Sequence, residues 1–143
     1  MRPNRLAIIC MSLALAARAE ATGSEPNARA QVNRAIGNTI VETFRDGRMS
    51  EIWLDKGGGF VVRGRTGKEA LGRWVVKGAR LCLRQTRPFL FGLSYCTPVP
   101  NVGMGEAWAA RSPTGEPIAV EVLPGRVIPD HPLPSAIAER RRP

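Results

Sequence analysis

Side chains able to do chemistry are sparse in this chain of 143 residues. The single histidine, His131, lies in a proline-rich C-terminal stretch and cannot supply a histidine-centred triad. One histidine and three cysteines make no soft-ligand set, so no metal and no cofactor is expected. Glu42, Asp46, Glu51, Asp55 and Glu69 are close enough in sequence to raise general acid/base work by paired carboxylates. Most of them sit at turns or beside arginines, where solvation and charge balance explain them. No catalytic residue is assigned on this basis, and a carboxylate-based hydrolase stands only as an alternative. The runs Gly57-Gly58-Gly59 and Gly64-Arg65-Thr66-Gly67-Lys68 lack phosphate-loop spacing and read as turns.

Arginines offer more. Arg63, Arg65, Arg73, Arg80 and Arg84 recur through neighbouring strand-like segments, and consecutive hairpins would gather them on one face as a basic stripe for an anionic polymer or headgroup. The plain alternative is a solvated outer face. Trp53, Trp74 and Trp108 form a second candidate set, a possible ligand pocket, although in so small a domain aromatic residues more often fill a core.

The elements that must carry these residues are short. Asn27 to Ile36 has apolar positions at helical spacing (Ala28, Val32, Ala35/Ile36), with Asn27 as cap and Gly37 as stop; Arg29 and Arg34 are expected to face solvent. From Thr39 the period becomes two. Strands are expected over Thr39 to Phe44, Met49 to Asp55, Phe60 to Arg65, Leu71 to Val76, Ala79 to Gln85, Phe89 to Cys96, Glu106 to Arg111 and Ile118 to Val122, separated by Gly-rich turns. The alternation puts Trp74, Val76, Leu81 and Leu83 inward, and Arg73, Val75, Arg80, Cys82 and Arg84 outward. No βαβ spacing occurs, so the expected fold is all-β: an antiparallel meander forming a small barrel or half-barrel, with a short N-terminal helix. A β-sandwich is the alternative.

Residues 1–19 have the parts of a secretory signal: Arg2 and Arg5, an apolar run from Leu6 to Ala17, and a small-x-small site at Ala17-Arg18-Ala19. The expected organisation is a signal peptide (1–19), a flexible lead-in (20–26), one β-rich domain (27–126) and a Pro/Arg-rich tail (127–143). The expected location is periplasmic or secreted, with no transmembrane segment after cleavage. Cleavage would remove Cys10, leaving Cys82 and Cys96 as an even pair in a compartment that permits a disulfide. It would also remove Arg2, Arg5 and Arg18 from 21 basic and 12 acidic residues, leaving a formal charge of +6 on 124 residues. Such a charge favours anionic partners and is equally common as a device for solubility.

Gly37-Asn38-Thr39, Gly72-Arg73-Trp74, Leu81-Cys82 and Cys96 together resemble a group of small exported proteobacterial proteins of uncharacterised function, over Gly37 to roughly Val122. The resemblance implies a compact β domain in the envelope or periplasm and no particular activity. The Asp-Gly hairpin expected after the second cysteine is missing; Val99 to Gly105 stands in its place. The reading that follows is a non-enzymatic exported envelope module binding an anionic component or an acidic protein, and not nucleic acid. A small apolar ligand-binding β-barrel is the alternative, and an open interior would favour it. Inhibition of a cell-wall enzyme is a third reading; positive charge argues against it where the target is itself basic.

Overall fold

The computed structural model describes residues 23–88 and 94–128. The expected signal peptide, Phe89 and Phe91, His131 and the chain beyond Ile128 lie outside the described residues. One helix, α1 (Glu25–Ala35), precedes eight strands: β1 (Thr39–Thr43), β2 (Met49–Leu54), β3 (Gly59–Arg63), β4 (Glu69–Lys77), β5 (Arg80–Arg87), β6 (Ser94–Pro98), β7 (Trp108–Arg111) and β8 (Pro117–Leu123). They form a single antiparallel sheet in the order β6-β5-β4-β3-β2-β1-β8-β7. Each strand pairs with its sequence neighbour except across β6/β7, while β8 returns to lie beside β1. The sheet therefore curls almost into a barrel, with β6 and β7 as the facing edges. The hydroxyl of Tyr95 on β6 donates to the carbonyl of Arg111 on β7 and bridges that seam.

Period-two alternation sets the inward face. Ile40, Ile52, Leu54, Phe60, Val76, Leu81, Ile118 and Val120 are buried together, with Trp74, Leu83 and Trp108 packed against them. Trp74 pairs with Leu83 and Val76 with Leu81, so the expected β4–β5 register holds, and Arg73, Val75, Arg80 and Arg84 are exposed on the other side. The hairpin between them turns through Gly78 and Ala79, Gly78 taking the positive φ that a two-residue connection requires. Cys82 and Cys96 are register partners on β5 and β6 and form a disulfide on the outward face, stapling the seam strand to its neighbour. In the chain-entropy account a loop of this length is worth about 3 kcal/mol.

The helix starts two residues before the expected Asn27. Ser24 takes the cap position, and Pro26 falls in the first turn, where its missing N–H costs no hydrogen bond. An isolated helix of this length is marginal in water. Here Ala28, Val32 and Ala35, spaced along one side, are buried against the inward face of the sheet. Gly37, at φ 78°, stops the helix and turns the chain into β1.

The outward face of β1 and its neighbours is also covered. Val41 is fully buried, and the chain after β8 folds back at this point. The Thr39 hydroxyl donates to the Gly125 carbonyl and accepts from the Val127 amide and the Trp53 indole N–H. The Arg126 guanidinium stacks 4.6 Å from the centre of a Trp53 ring. The chain as far as Val127 is thus bonded to the barrel.

Gly72 marks the tightest inward contact. Its register partner is Phe60, whose ring lies over the glycine; a Cβ added there would come within 2.4 Å of that ring and 2.3 Å of the Arg84 carbonyl oxygen. Gly72→Ala is expected to cost about 1–3 kcal/mol, because neither backbone nor ring can move without disturbing the sheet. Chemical denaturation of the variant checks this, and an unchanged midpoint would contradict the packing described.

Candidate functional site

Inside the curled sheet is a cavity of about 80 Å³. By the same measure one water needs about 10–15 Å³, so there is room for several waters or one small organic molecule. Its walls include inward-facing residues of β1, β2, β5 and β8, namely Ile40, Ile52, Leu54, Leu81, Ile118 and Val120, with Val32 and Ala35 on the helix. Tyr95 and Trp108 contribute from the two seam strands, and Val99, Pro100, Val102, Gly103 and Met104 from the connection between them. That connection, the segment replacing the expected Asp-Gly hairpin, is held in shape locally. Gly103 donates its amide to the Glu106 carboxylate, and Gly105 donates to the carbonyl of Val122 at the end of β8. Gln31 on the helix donates to Asn101, and Arg34 donates to the Val102 carbonyl. Arg34 is exposed, as expected, and at the same time stands on the rim of the cavity.

One carboxylate stands among these walls. Glu42 on β1 points the same way as Ile40 and lies in register between Val120 of β8 and Ser50 of β2. Burial pushes its carboxyl up from 4.5 to about 7, while a hydrogen bond from the Ser50 side chain pulls weakly the other way. Its carboxyl therefore titrates near neutral pH, and perturbed groups of this kind cluster at functional sites.

The other clustered carboxylates do not join it. Asp46 is held below the usual carboxylate range by its bonds to Arg48. Asp55 accepts the Gly59 amide in its turn, and Glu69 is exposed in register with Arg63. Glu51 is buried on the opposite face, where desolvation raises its carboxyl and Arg63, its register partner, opposes the rise. Among the described residues that line the cavity, Glu42 is the one acid.

The candidate arginines fall into two groups. Arg63 and Arg65 lie among carboxylates: Arg63 opposite Glu51 and Glu69, Arg65 ion-paired to Glu116 at 3.1 Å and stacked on Phe44. Arg73 and Arg84 are register partners on the exposed side of β4 and β5, and Arg80, opposite Lys77, donates to the Cys96 carbonyl. Of the three tryptophans proposed for a pocket, only Trp108 lines the cavity. Trp74 is inward but spends its indole N–H on the Asp55 carbonyl, and Trp53 faces outward under Arg126. The sequence raises Glu42 as one of five clustered carboxylates, set aside as a group because most of them sit at turns or beside arginines. Its parity with Ile40 was the available signal.

Among the described residues no helix is long and apolar enough to cross a membrane. Searches against family models, curated proteins and solved structures find no match to this chain.

Because Glu42 ionises at a higher pH in the folded protein than in the unfolded chain, its contribution to stability is fully present below about pH 4.5 and is lost as pH rises through about 7. Glu42→Gln is expected to leave stability unchanged near pH 4 and to raise it near pH 8, by at most about 3 kcal/mol. Denaturation curves at both pH values check this; equal effects at both would show that Glu42 does not titrate in that window.

Proposed function

We propose that this protein binds a small, mainly apolar molecule inside its barrel, without chemical conversion of it. The observation that carries this reading is the cavity itself, walled by aliphatic side chains from strands, helix and the β6–β7 connection. An eight-stranded barrel is the size at which the interior is either filled by side chains or left wide enough for one small ligand. Space of this size among well-formed walls favours the second case. The one acid in the cavity lacks a second carboxylate or a nucleophile beside it among the described lining residues, and the reading is therefore of a binder. Naphthalene, followed through tryptophan fluorescence or calorimetry, serves as a test ligand. Ala110 lines the cavity from β7, and Ala110→Phe is expected to fill it. Binding should then fall at least tenfold while the melting temperature holds or rises. Undiminished binding in that variant would place the ligand elsewhere.

A second reading is favoured by one separate feature. Arg73, Lys77, Arg80 and Arg84 share the exposed side of β4 and β5 around Val75 and the disulfide, and no carboxylate pairs with them among the described residues. This patch suits an anionic envelope component or an acidic protein, as expected of an exported basic domain. Replacing Arg73, Arg80 and Arg84 together by Ser is expected to change stability by less than about 1 kcal/mol, since exposed charges contribute little. It should also abolish salt-sensitive binding to anionic vesicles. Vesicle binding equal to that of the unaltered protein would remove this reading.

A further inference from the structure

We infer that the molecule held in the barrel is uncharged and carries one hydrogen-bond-accepting oxygen, such as a carbonyl, gripped by the Glu42 carboxyl; this rests on the cavity being a binding site. The geometry behind it is the placing of a single acid among apolar walls. Glu42 lies in register with Val120 on one side and Ser50 on the other, with Trp108 next to Val120 and Ile40 two residues back along the strand. Three ionisable side chains line the cavity among the described residues: Glu42, Arg34 from the helix and Tyr95 from β6. The last two are turned to other partners, Arg34 to the Val102 carbonyl and Tyr95 to the Arg111 carbonyl. No charged side chain contributes to the shift of Glu42, which comes from burial. A carboxyl in such surroundings favours its neutral form, and a neutral carboxyl offers an O–H donor.

The charge of the ligand follows from the same surroundings. An anionic headgroup would meet a carboxyl that must stay protonated and a wall with no free cation near Glu42. A cationic headgroup would require both itself and Glu42 to be ionised in an apolar chamber, with two desolvation costs to offset. An uncharged acceptor requires neither. It also uses the donor that distinguishes a protonated carboxyl from an ordinary one, the way a buried acid kept neutral serves as a donor in other sites. Ser50, opposite Glu42 on β2, hydrogen-bonds to its carboxyl.

Matched aromatic probes test this: naphthalene without a polar group, acetylnaphthalene with a carbonyl, naphthylmethylamine with a cation and naphthoate with an anion, each titrated between about pH 5.5 and 8.5. Acetylnaphthalene is expected to bind about three- to tenfold tighter than naphthalene at the acid end, a ratio set by the net worth of one hydrogen bond. That preference should fade above about pH 7, while naphthalene binding stays level. Glu42→Gln, whose amide still donates, should keep the preference and lose its pH dependence; Glu42→Leu should lose the preference and keep naphthalene. If naphthalene binds but acetylnaphthalene shows no advantage, or the amine binds best and gains above about pH 7, the inference is overturned while the cavity remains a binding site. If none of the four probes binds, the reading of the cavity itself fails, and this inference with it.

Discussion

A single hydroxyl fastens the barrel. The Thr39 oxygen can donate once and accept twice, and all three capacities are used: toward Gly125, from Val127 and from the Trp53 indole. Its three partners belong to the chain after β8 and to β2, so one atom joins the start of the sheet, its second strand and its end. Asn38 beside it does the same for the helix, donating to the Arg34 carbonyl while accepting from the Gly125 amide. With Gly37 ending the helix, the Gly-Asn-Thr run becomes the joint at which helix, first strand and returning chain meet. Everything that encloses the cavity depends on that joint, because α1 and β8 form walls only when both are held against β1.

Much of this was legible in the residues. Alternation in Arg73–Lys77 and Arg80–Arg84 separates an apolar from a cationic side, and the structure keeps that separation strand by strand. The even pair of cysteines on the cationic side reads as a staple outside the core, which is where Cys82 and Cys96 meet. The meander follows from Gly-containing turns at short intervals and the lack of any crossover helix. Two things were hidden because they depend on distant partners. Parity with Ile40 gives the side on which Glu42 lies, but the pairing of β1 with β8 that encloses it is contained in no local pattern. The residues from Val99 to Met104 look like a loop from composition, and only the closing of β6 toward β7 makes them part of the wall.

Charge is distributed with a clear division. Cations collect on the outer side of β4 and β5, whereas Arg63 lies opposite Glu51 and Glu69, and Arg65 is ion-paired with Glu116 and Asp46. The interior is left mainly to aliphatic and aromatic groups, and Glu42 is the one acid lining the cavity among the described residues. Burial raises the Glu42 carboxyl, so ionising it in the folded protein opposes folding.

The pairing of β1 with β8 joins Thr39 to Leu123 and therefore spans nearly the whole folded chain. Hairpins from β1 to β5 can form from neighbours, but the cavity has no enclosure until the last strand arrives. Contacts of such long range are the slow ones in folding, since loop-closure entropy is lost before they yield any return. Enclosing the interior is consequently a long-range step: a sheet without β8 would keep most of its hairpins and have no chamber. Anything bound inside would act on that step, favouring the closed sheet over one whose final pairing has come apart.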